Sequence, residues 1–250
     1  MKFILSRIAL LILVFLFAAH AKAESPVSIF EAMLMEANQK TPEISTAEMR
    51  KIVAEKSATI IDPRSFEEFA VDHIPGSINI AAKPGTPKAS AITGIAKIDH
   101  IVQGNKSAPI VVYCNGPHCK KSKKVANKLI SAGYTSVRRY QLGMPIWRTL
   151  VGFTEIELEG VQYVVEKDQT AVLIDVRNPE AFRSDTVPGA GNIPFNGMKP
   201  GKNAEEIKKA KGDRRGPGQN QTTRIIVFRR DGAQARAFVE LLAELASFSN

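Results

Sequence analysis

Two blocks of this sequence recur at a constant separation of 113 positions. The stretch IDPRSFEEF at 61–69 is echoed by IDVRNPEAF at 174–182, and IPGSINI at 74–80 is echoed by VPGAGNI at 187–193. Because the separation is the same for both blocks, the chain contains a duplicated unit of about a hundred residues, which is a usual domain size. The duplication predicts two copies of one fold.

Short apolar strands alternate with helical segments in both copies. This order is typical of a parallel sheet with helices on both faces, so we expect two doubly wound, mainly parallel α/β domains, at 24–153 and 154–250. The stretch 154–158 is expected to be an edge strand that joins them. The first domain is expected to have strands at 58–61, 77–80, 109–113 and 136–141, and helices at 45–55, 66–71 and 121–132. The second is expected to have strands at 171–174, 191–193 and 224–228, and helices at 161–166, 180–183 and 233–245.

The first 23 residues have the features of an export signal. Lys2 and Arg7 give a positive start, an apolar run fills 8–19, and a pattern of small residues ends at Ala23. A run of this length is short for a membrane span, which needs roughly 20 residues. We expect cleavage before Glu24, no stable membrane anchor afterwards, and a periplasmic or secreted protein. An uncleaved N-terminal anchor is the alternative.

Charge and cysteine content narrow the functional class. The net charge is +9, and +6 without the first 23 residues, which favours anionic small molecules or anionic surfaces as partners. No motif typical of a nucleic-acid reader occurs, so no nucleic-acid partner is expected. The two cysteines of the chain are Cys114 and Cys119. A disulfide-stabilised scaffold would have more cysteines at wider spacing, so this pair indicates a chemical or redox site.

Taken in order, the motifs resemble the rhodanese superfamily. They are a D-x-R motif at 62–64, the stretch 73–80, an apolar strand ending in Tyr113 and Cys114, and the segment QLGMPIW at 141–147. The resemblance implies a doubly wound α/β fold. It also implies sulfur transfer through a cysteine persulfide in the loop between a strand and a helix. We expect no cofactor and no metal site.

Cys114 is the expected nucleophile. It follows a buried strand and precedes a helix, where unpaired backbone N–H groups and the helix dipole stabilise an anion and lower the pKa of a thiol. Lysines at 120, 121, 123 and 124 add positive charge that would attract a thiosulfate-like anion. The expected anion-binding loop consists of Asn115, Gly116, His118, Cys119 and Lys120.

The loop departs from the family's common Cys-x4-Arg pattern. Cys119 stands at the fifth position after Cys114, and the base follows at Lys120. The Cys-x5-Lys spacing is that of a phosphatase or arsenate reductase loop, but those enzymes need a bidentate arginine. Three roles remain open for Cys119: a resolving thiol, half of a reversible disulfide with Cys114, or a buried spacer.

The second copy is expected to be inactive. Arg229 aligns with Cys114, and an arginine cannot carry a transferable sulfur. Gln234 stands where the family's loop arginine would be, and a polar loop runs through 198–223. In each copy the D-x-R motif is expected to form a structural ion pair that fixes the next helix. These pairs are Asp62 with Arg64 and Asp175 with Arg177.

The leading hypothesis is therefore a periplasmic sulfurtransferase of the thiosulfate sulfurtransferase class. It would move sulfane sulfur from a small anionic donor, such as thiosulfate, to a thiol or cyanide-like acceptor through a Cys114 persulfide. The alternative is a non-catalytic module that binds anions or cycles between a Cys114/Cys119 dithiol and its disulfide. An arsenate reductase or phosphatase is a third possibility, which the missing arginine disfavours.

Overall fold

The computed structural model describes residues 28–168, 171–195, 205, 209, 224–229, 235–239 and 241–242. The expected signal segment and Gln234 lie outside these residues, as do nearly all of the 198–223 loop and part of the helix expected at 233–245. Within the described part of the chain, no helix is long and apolar enough to cross a membrane. The described elements form two α/β units, which we call the first and the second repeat.

The first repeat is a four-stranded parallel sheet with helices on both faces. Its strands are β1 (Thr59–Asp62), β2 (Ile78–Asn79), β3 (Ile110–Tyr113) and β4 (Val137–Tyr140). Its helices are α1 (Thr46–Glu55), α2 (Phe66–Val71), α3 (Gly94–Ile101), α4 (Lys120–Ser131) and α5 (Gly143–Leu150). The strand order is β2-β1-β3-β4, and each pair is parallel, as helical crossover connections require.

The second repeat repeats this order over the residues described. It contains α6 (Leu158–Lys167), β5 (Val172–Asp175), α7 (Pro179–Ser184), β6 (Gly191–Asn192) and β7 (Ile225–Phe228). Residues 235–239 and 241–242 are helical. The three strands form a parallel sheet in the order β6-β5-β7, which corresponds to β2-β1-β3 of the first repeat.

The core of the first repeat lies on both faces of β3, whose four residues are all buried. Successive side chains of a strand point to opposite faces. Val111 and Tyr113 accordingly pack into a cluster with α1 and α5, and Ile110 and Val112 pack into a second cluster with α3 and α4. This double burial makes the carboxyl end of β3 a rigid position in the molecule.

The helix that follows β1 starts at a cap that the sequence specifies locally. The Ser65 hydroxyl accepts the Glu68 N–H, and the Glu68 carboxylate accepts the Ser65 N–H in return, so both unpaired donors are satisfied. In the second repeat Asn178 accepts the Ala181 N–H, and Pro179 occupies the first helical position. The expected helix at 66–71 is confirmed, and this cap explains why it starts at Phe66.

The expected fold class is confirmed, with two corrections to the predicted elements. Helix α3 was not predicted, because its first residue is a glycine and its N-cap, Thr93, makes no side-chain capping hydrogen bond. The edge strand expected at 154–158 is wrong. Glu155 alone pairs, in an isolated antiparallel bridge with His73, and Leu158 already begins α6.

The bridge between His73 and Glu155 joins the two repeats through backbone hydrogen bonds. Each residue donates its N–H to the other's carbonyl oxygen at 2.9 Å. The His73 ring is buried, stacks on Phe69 with the ring centroids 3.8 Å apart, and hydrogen-bonds the Phe69 carbonyl through Nδ1 at 2.9 Å. The Glu157 N–H also donates to the carbonyl oxygen of Ala70 at 2.8 Å. His73 is thus a buried connecting residue between the repeats.

Candidate active site

Cys114 lies directly after β3 and is 1% exposed. Its sulfur forms a disulfide with Cys119, whose Cα is 6.1 Å from the Cα of Cys114. Cys119 is the N-cap of α4, so both sulfurs lie at the N-terminus of that helix. This is the strand-to-helix position that the sequence predicts for the nucleophile. The structure thus brings Cys119 within disulfide reach of Cys114, as the resolving-thiol role and the reversible-disulfide role both require.

The first residues of α5 pack against the backbone of the cysteine loop. Gly143 has φ +61, and a Cβ at this position would overlap the carbonyl oxygen of Cys114. The Met144 N–H donates to the same carbonyl at 2.9 Å. Gly116 has φ +87 and is buried against Leu142, so it too needs the freedom of glycine. These contacts fix the backbone carbonyl of Cys114.

The predicted anion-binding residues lie in and next to the disulfide loop but differ in their exposure to solvent. Asn115, His118 and Lys120 are exposed, whereas Gly116 is buried and Cys119 is partly exposed. The Cys119 N–H is used inside the loop, where it donates to the Gly116 carbonyl at 3.1 Å. The sequence placed Lys120 in the loop, but it is the first residue of α4. Its side chain therefore projects from the first turn of that helix.

The positive charge near the loop is partly balanced by two glutamates. Lys123 and Arg139 pair with Glu36, and the hydrogen bond from Lys123 is the main cause that lowers the pKa of Glu36. Lys121 lies 3.6 Å from Glu68. Among the described residues, no carboxylate lies within ion-pair distance of Lys120. The face around Cys119 is therefore positive.

Glu68 connects the α2 cap to the cysteine loop. It accepts a hydrogen bond from Nδ2 of Asn115 at 2.5 Å in addition to the one from the Ser65 N–H. Burial raises the pKa of Glu68, but these two hydrogen bonds and the charge of Lys121 outweigh it, so the pKa lies below its usual value. Asn115 is thereby held by its side chain as well as its backbone.

The D-x-R motif of the first repeat forms a buried ion pair. The Arg64 guanidinium lies 2.7 Å from the Asp62 carboxylate, and both side chains are nearly inaccessible. Burial lowers the pKa of Arg64, but the hydrogen bonds and charge of Asp62 outweigh it and raise the pKa above its usual value. Arg64 also donates to the Asp72 carbonyl at 2.7 Å and to Asn115 at 3.3 Å. The pair therefore supports both the end of α2 and the cysteine loop.

Tyr113 extends this network into the core. Its hydroxyl donates to Asp62 at 2.5 Å and accepts the Ile74 N–H at 3.2 Å. Burial raises the pKa of Tyr113 well above its usual value, and the charge of Asp62 raises it further. The hydroxyl therefore stays protonated and positions groups without taking part in proton transfer near neutral pH.

The same motif recurs in the second repeat with a more accessible arginine. Arg177 pairs with Asp175 at 2.7 Å, and the side chain of Arg177 is 15% exposed against 2% for Arg64. Burial raises the pKa of Asp175, but hydrogen bonds from Arg177 outweigh it and lower the pKa. The two motifs thus act alike on the helix that follows.

Two asparagines complete these motifs and were not singled out from the sequence. Asn79 donates from Nδ2 to the carbonyls of Asp62 and Arg64, at 3.1 and 3.0 Å. Asn192 makes the same two bonds to Asp175 and Arg177, both at 2.9 Å. The signal that could have identified them is their shared position in the two copies, 113 residues apart.

The strand register places Arg229 where the first repeat has Cys114. Thr59 pairs with Ile110 in the first repeat, and its counterpart Val172 pairs with Ile225 in the second. Counting four residues on from each partner reaches Cys114 and Arg229. The Arg229 guanidinium donates to the Phe195 carbonyl, a contact within its own repeat. The described part of the second repeat therefore holds no sulfur at this position.

A cleft of about 1880 Å³ lies between the repeats. Asn115 of the cysteine loop lines it together with Pro145 and Arg148 of α5, and the second repeat contributes β7 and Arg229. Arg148 is tied to Asp72 by a 2.5 Å hydrogen bond. Within the described residues, no cluster of three or more histidine, cysteine or carboxylate side chains is arranged to hold a metal ion.

Comparison with known proteins gives one match at the level of a family. A model of the rhodanese-like domain matches residues 45–150 and again 162–250. A curated relative, an HTH-type transcriptional regulator of Mycobacterium tuberculosis, is 30% identical over 105 residues, which is 42% of this chain and 41% of the relative.

Solved structures with detectable similarity include two whose names refer to sulfur chemistry. One is a thiosulfate sulfurtransferase from Pseudomonas aeruginosa, with 19% identity over 81% of this chain and 41% of that chain, at a TM-score of 0.36. Another is an EanB variant in complex with ergothioneine covalently linked with a cysteine persulfide, with 21% identity over 68% of this chain and 46% of that chain, at a TM-score of 0.37.

The family assignment follows from the matched ranges and from the geometry that they share. Both matches contain the D-x-R ion pair after the first strand and the parallel strand that leads into the loop. The first match also contains the cysteine at the end of that strand. The chain belongs to the rhodanese-like domain family and carries that domain twice.

Proposed function

We propose that this protein is an exported sulfurtransferase whose first repeat carries sulfur on Cys114. The observation that carries the proposal is the position of Cys114, at the carboxyl end of a buried strand and at the N-terminus of α4. Backbone N–H groups at a helix N-terminus favour an anion there, and both a thiolate and a persulfide are anions. Exposed Lys120 and Lys121 add positive charge that draws anionic donors.

The proposed reaction needs only the thiolate of Cys114 once the disulfide is reduced. The thiolate attacks the outer sulfur of thiosulfate, the bond between that sulfur and the sulfonate sulfur breaks, and sulfite leaves with the electron pair. The resulting Cys114 persulfide then gives its outer sulfur to a thiolate or to cyanide, and the Cys114 thiolate is regenerated. No proton transfer by a side chain is required, which agrees with the structural roles of His73 and Tyr113.

A second candidate function is favoured by the disulfide itself. If the protein is a redox module, the Cys114–Cys119 bond is the functional group and the dithiol is its reduced partner. In that case the two cysteines would exchange electrons with a partner thiol and carry no sulfur between molecules.

Intact mass spectrometry separates these two functions. Reduced protein treated with thiosulfate should gain the mass of one sulfur, and peptide mapping should locate it on Cys114. The oxidised protein should gain nothing from thiosulfate, because Cys114 has no thiolate in that state. Reduced protein that never gains a sulfur, but cycles cleanly between dithiol and disulfide, would support the redox module and contradict the sulfurtransferase.

Export is part of the proposal and has its own test. The positive start, the short apolar run and the small residues up to Ala23 are the parts of a cleavable signal. Full-length precursor expressed in a Gram-negative host should yield a periplasmic chain whose N-terminus is Glu24. The double variant Leu11→Arg, Leu13→Arg should stay in the cytoplasm, because the two charges interrupt the apolar run. A full-length chain that starts at Met1 and remains with the membrane fraction would contradict cleavage.

A further inference from the structure

The two cysteines of the disulfide differ in their exposure to solvent. Cys114 is 1% exposed, enclosed by β3, by the start of α5 and by the loop itself. Cys119 is partly exposed, between the exposed residues His118 and Lys120. Thiol–disulfide exchange proceeds by attack on one sulfur and departure of the other, so access decides which sulfur is attacked. In the disulfide form, Cys119 is therefore the more accessible of the two cysteines to a nucleophile from solvent.

We propose that the disulfide form of the protein can be loaded with sulfur. In this form the protein takes a sulfur atom from hydrosulfide, which attacks Cys119. The inference rests on the proposed role of Cys114 as the sulfur carrier, and it adds a second donor class and a catalytic role for Cys119. The donor is a small, soft, anionic sulfur nucleophile, the simplest of which is HS⁻.

The first step is an exchange at Cys119. A lone pair of HS⁻ forms a new bond to the Cys119 sulfur, the Cys114–Cys119 bond breaks, and its electron pair leaves on Cys114 as a thiolate. The sulfur of HS⁻ is oxidised by two electrons to the sulfane level, and the disulfide is reduced by the same two electrons. The product is a Cys119 persulfide beside a Cys114 thiolate, and no other oxidant is needed.

The second step moves the sulfur inward. The Cys114 thiolate attacks the outer sulfur of the Cys119 persulfide, the bond between the two persulfide sulfurs breaks, and Cys119 leaves as a thiolate. The outer sulfur keeps its proton, so Cys114 becomes the persulfide. Attack on the inner sulfur would only expel HS⁻ and restore the disulfide. Since the disulfide places the two cysteine sulfurs together, the outer sulfur of a Cys119 persulfide lies only one S–S bond beyond an atom that Cys114 contacts.

The charge around Cys119 favours an anionic attacker. Lys120 is the first residue of α4 and is exposed, directly after the N-cap cysteine. Among the residues described, no carboxylate lies within ion-pair distance of it, whereas Lys121 lies 3.6 Å from Glu68 and Lys123 lies 2.7 Å from Glu36. Lys120 thus adds positive charge in the residue directly after the cysteine that is attacked. Cations at such a position raise the local concentration of small anions, and salt screens the effect.

The test uses oxidised full-length mature protein and one equivalent of sodium sulfide without oxygen. The protein should gain one sulfur and two hydrogens. Samples quenched early with iodoacetamide should carry the extra sulfur on Cys119, and later samples should carry it on Cys114. Oxidised protein that gains no sulfur, or that is labelled on Cys114 from the start, would overturn the proposal.

Variants separate this inference from the proposed function. Cys119→Ser protein cannot form the disulfide, so it should gain no sulfur from sulfide. Reduced wild type, which also has no disulfide, should gain none from sulfide but one from thiosulfate. If reduced wild type loads from thiosulfate but oxidised wild type does not load from sulfide, the inference fails and the sulfurtransferase assignment stands. If thiosulfate does not load reduced wild type, the assignment itself fails.

A charge variant tests the attack on Cys119 by its rate. Lys120→Ala should slow loading from sulfide several-fold at low salt, and the difference should shrink as salt rises. Lys128→Ala is the matched control, because Lys128 is an exposed lysine in the last turn of the same helix and should leave the rate unchanged. Equal rates for the two variants at low salt would contradict the role assigned to Lys120.

Discussion

The Cys114→Ser variant is expected to lose sulfur transfer from thiosulfate to cyanide by a factor of at least about 10³, the scale seen when a covalent nucleophile is removed. A serine hydroxyl cannot form a persulfide at neutral pH, so no sulfur adduct should be detected either. The measurement is thiocyanate formation by reduced protein, with circular dichroism to verify folding. Since Arg229 stands at the matching position of the second repeat, no turnover should remain from that repeat. Residual turnover above a few per cent would contradict a single sulfur carrier.

Cys119→Ser is the matched control for this experiment, because it removes the other half of the same disulfide. It should retain both the adduct and the turnover if reduced Cys119 takes no part in transfer from thiosulfate. If Cys119 instead resolves the persulfide, the adduct should accumulate and delivery to a thiol acceptor should slow. Loss of both adduct and turnover in a folded Cys119→Ser protein would contradict the assignment of Cys114 as the carrier.

Removal of Arg64 is expected to have the largest effect on stability. Arg64→Ala leaves the fully buried Asp62 carboxylate without its partner and also removes the contacts to Asp72 and Asn115. Breaking a buried pair in this way costs about 3–5 kcal/mol of the free energy of unfolding. Urea unfolding followed by the fluorescence of Trp147, the one tryptophan of the chain, measures the first repeat directly because Trp147 is buried there.

The repeat supplies the control for this prediction. Arg177→Ala removes the equivalent ion pair from the second repeat, where the arginine is 15% exposed and water can reach the space it leaves. We expect a smaller loss, about 1–3 kcal/mol, which is the cost of leaving a hydrogen-bonding group unpaired. Circular dichroism during urea unfolding compares the two variants. An Arg64→Ala protein no less stable than Arg177→Ala would contradict the role given to burial.

The parts of the fold that were predictable depend on residues close in sequence. The helix expected at 66–71 starts at a cap between Ser65 and Glu68, and the expected ion pairs lie at 62–64 and 175–177. All of these partners are two or three positions apart, so the local sequence specifies them. The isolated bridge at Glu155 depends on His73, a partner far away in sequence, and the expected strand there was therefore wrong. Helix α3 buries Ile98 and starts at a glycine, and its N-cap Thr93 makes no side-chain capping hydrogen bond, so the local signal for it is weak.

In the candidate site, too, the features set by residues close in sequence could be predicted and those set by distant residues could not. The position of Cys114 after an apolar strand could be predicted, because the run of four apolar residues before it is continuous. The meeting of the two sulfurs could not, since a spacing of five residues does not determine a distance. The backbone of Cys114 is also contacted by Gly143 and Met144 of α5, which lie some thirty residues further along the chain, and no local pattern reveals that contact.

Gly160 of α6 faces Ala70 at the end of α2, and a Cβ at this glycine would overlap the Ala70 carbonyl oxygen. The two repeats therefore approach each other at backbone distance at this point. The same Ala70 carbonyl also accepts the Glu157 N–H. The placement of the second repeat at this point is thus set by main-chain atoms, and among side chains it depends only on residue 160 having none.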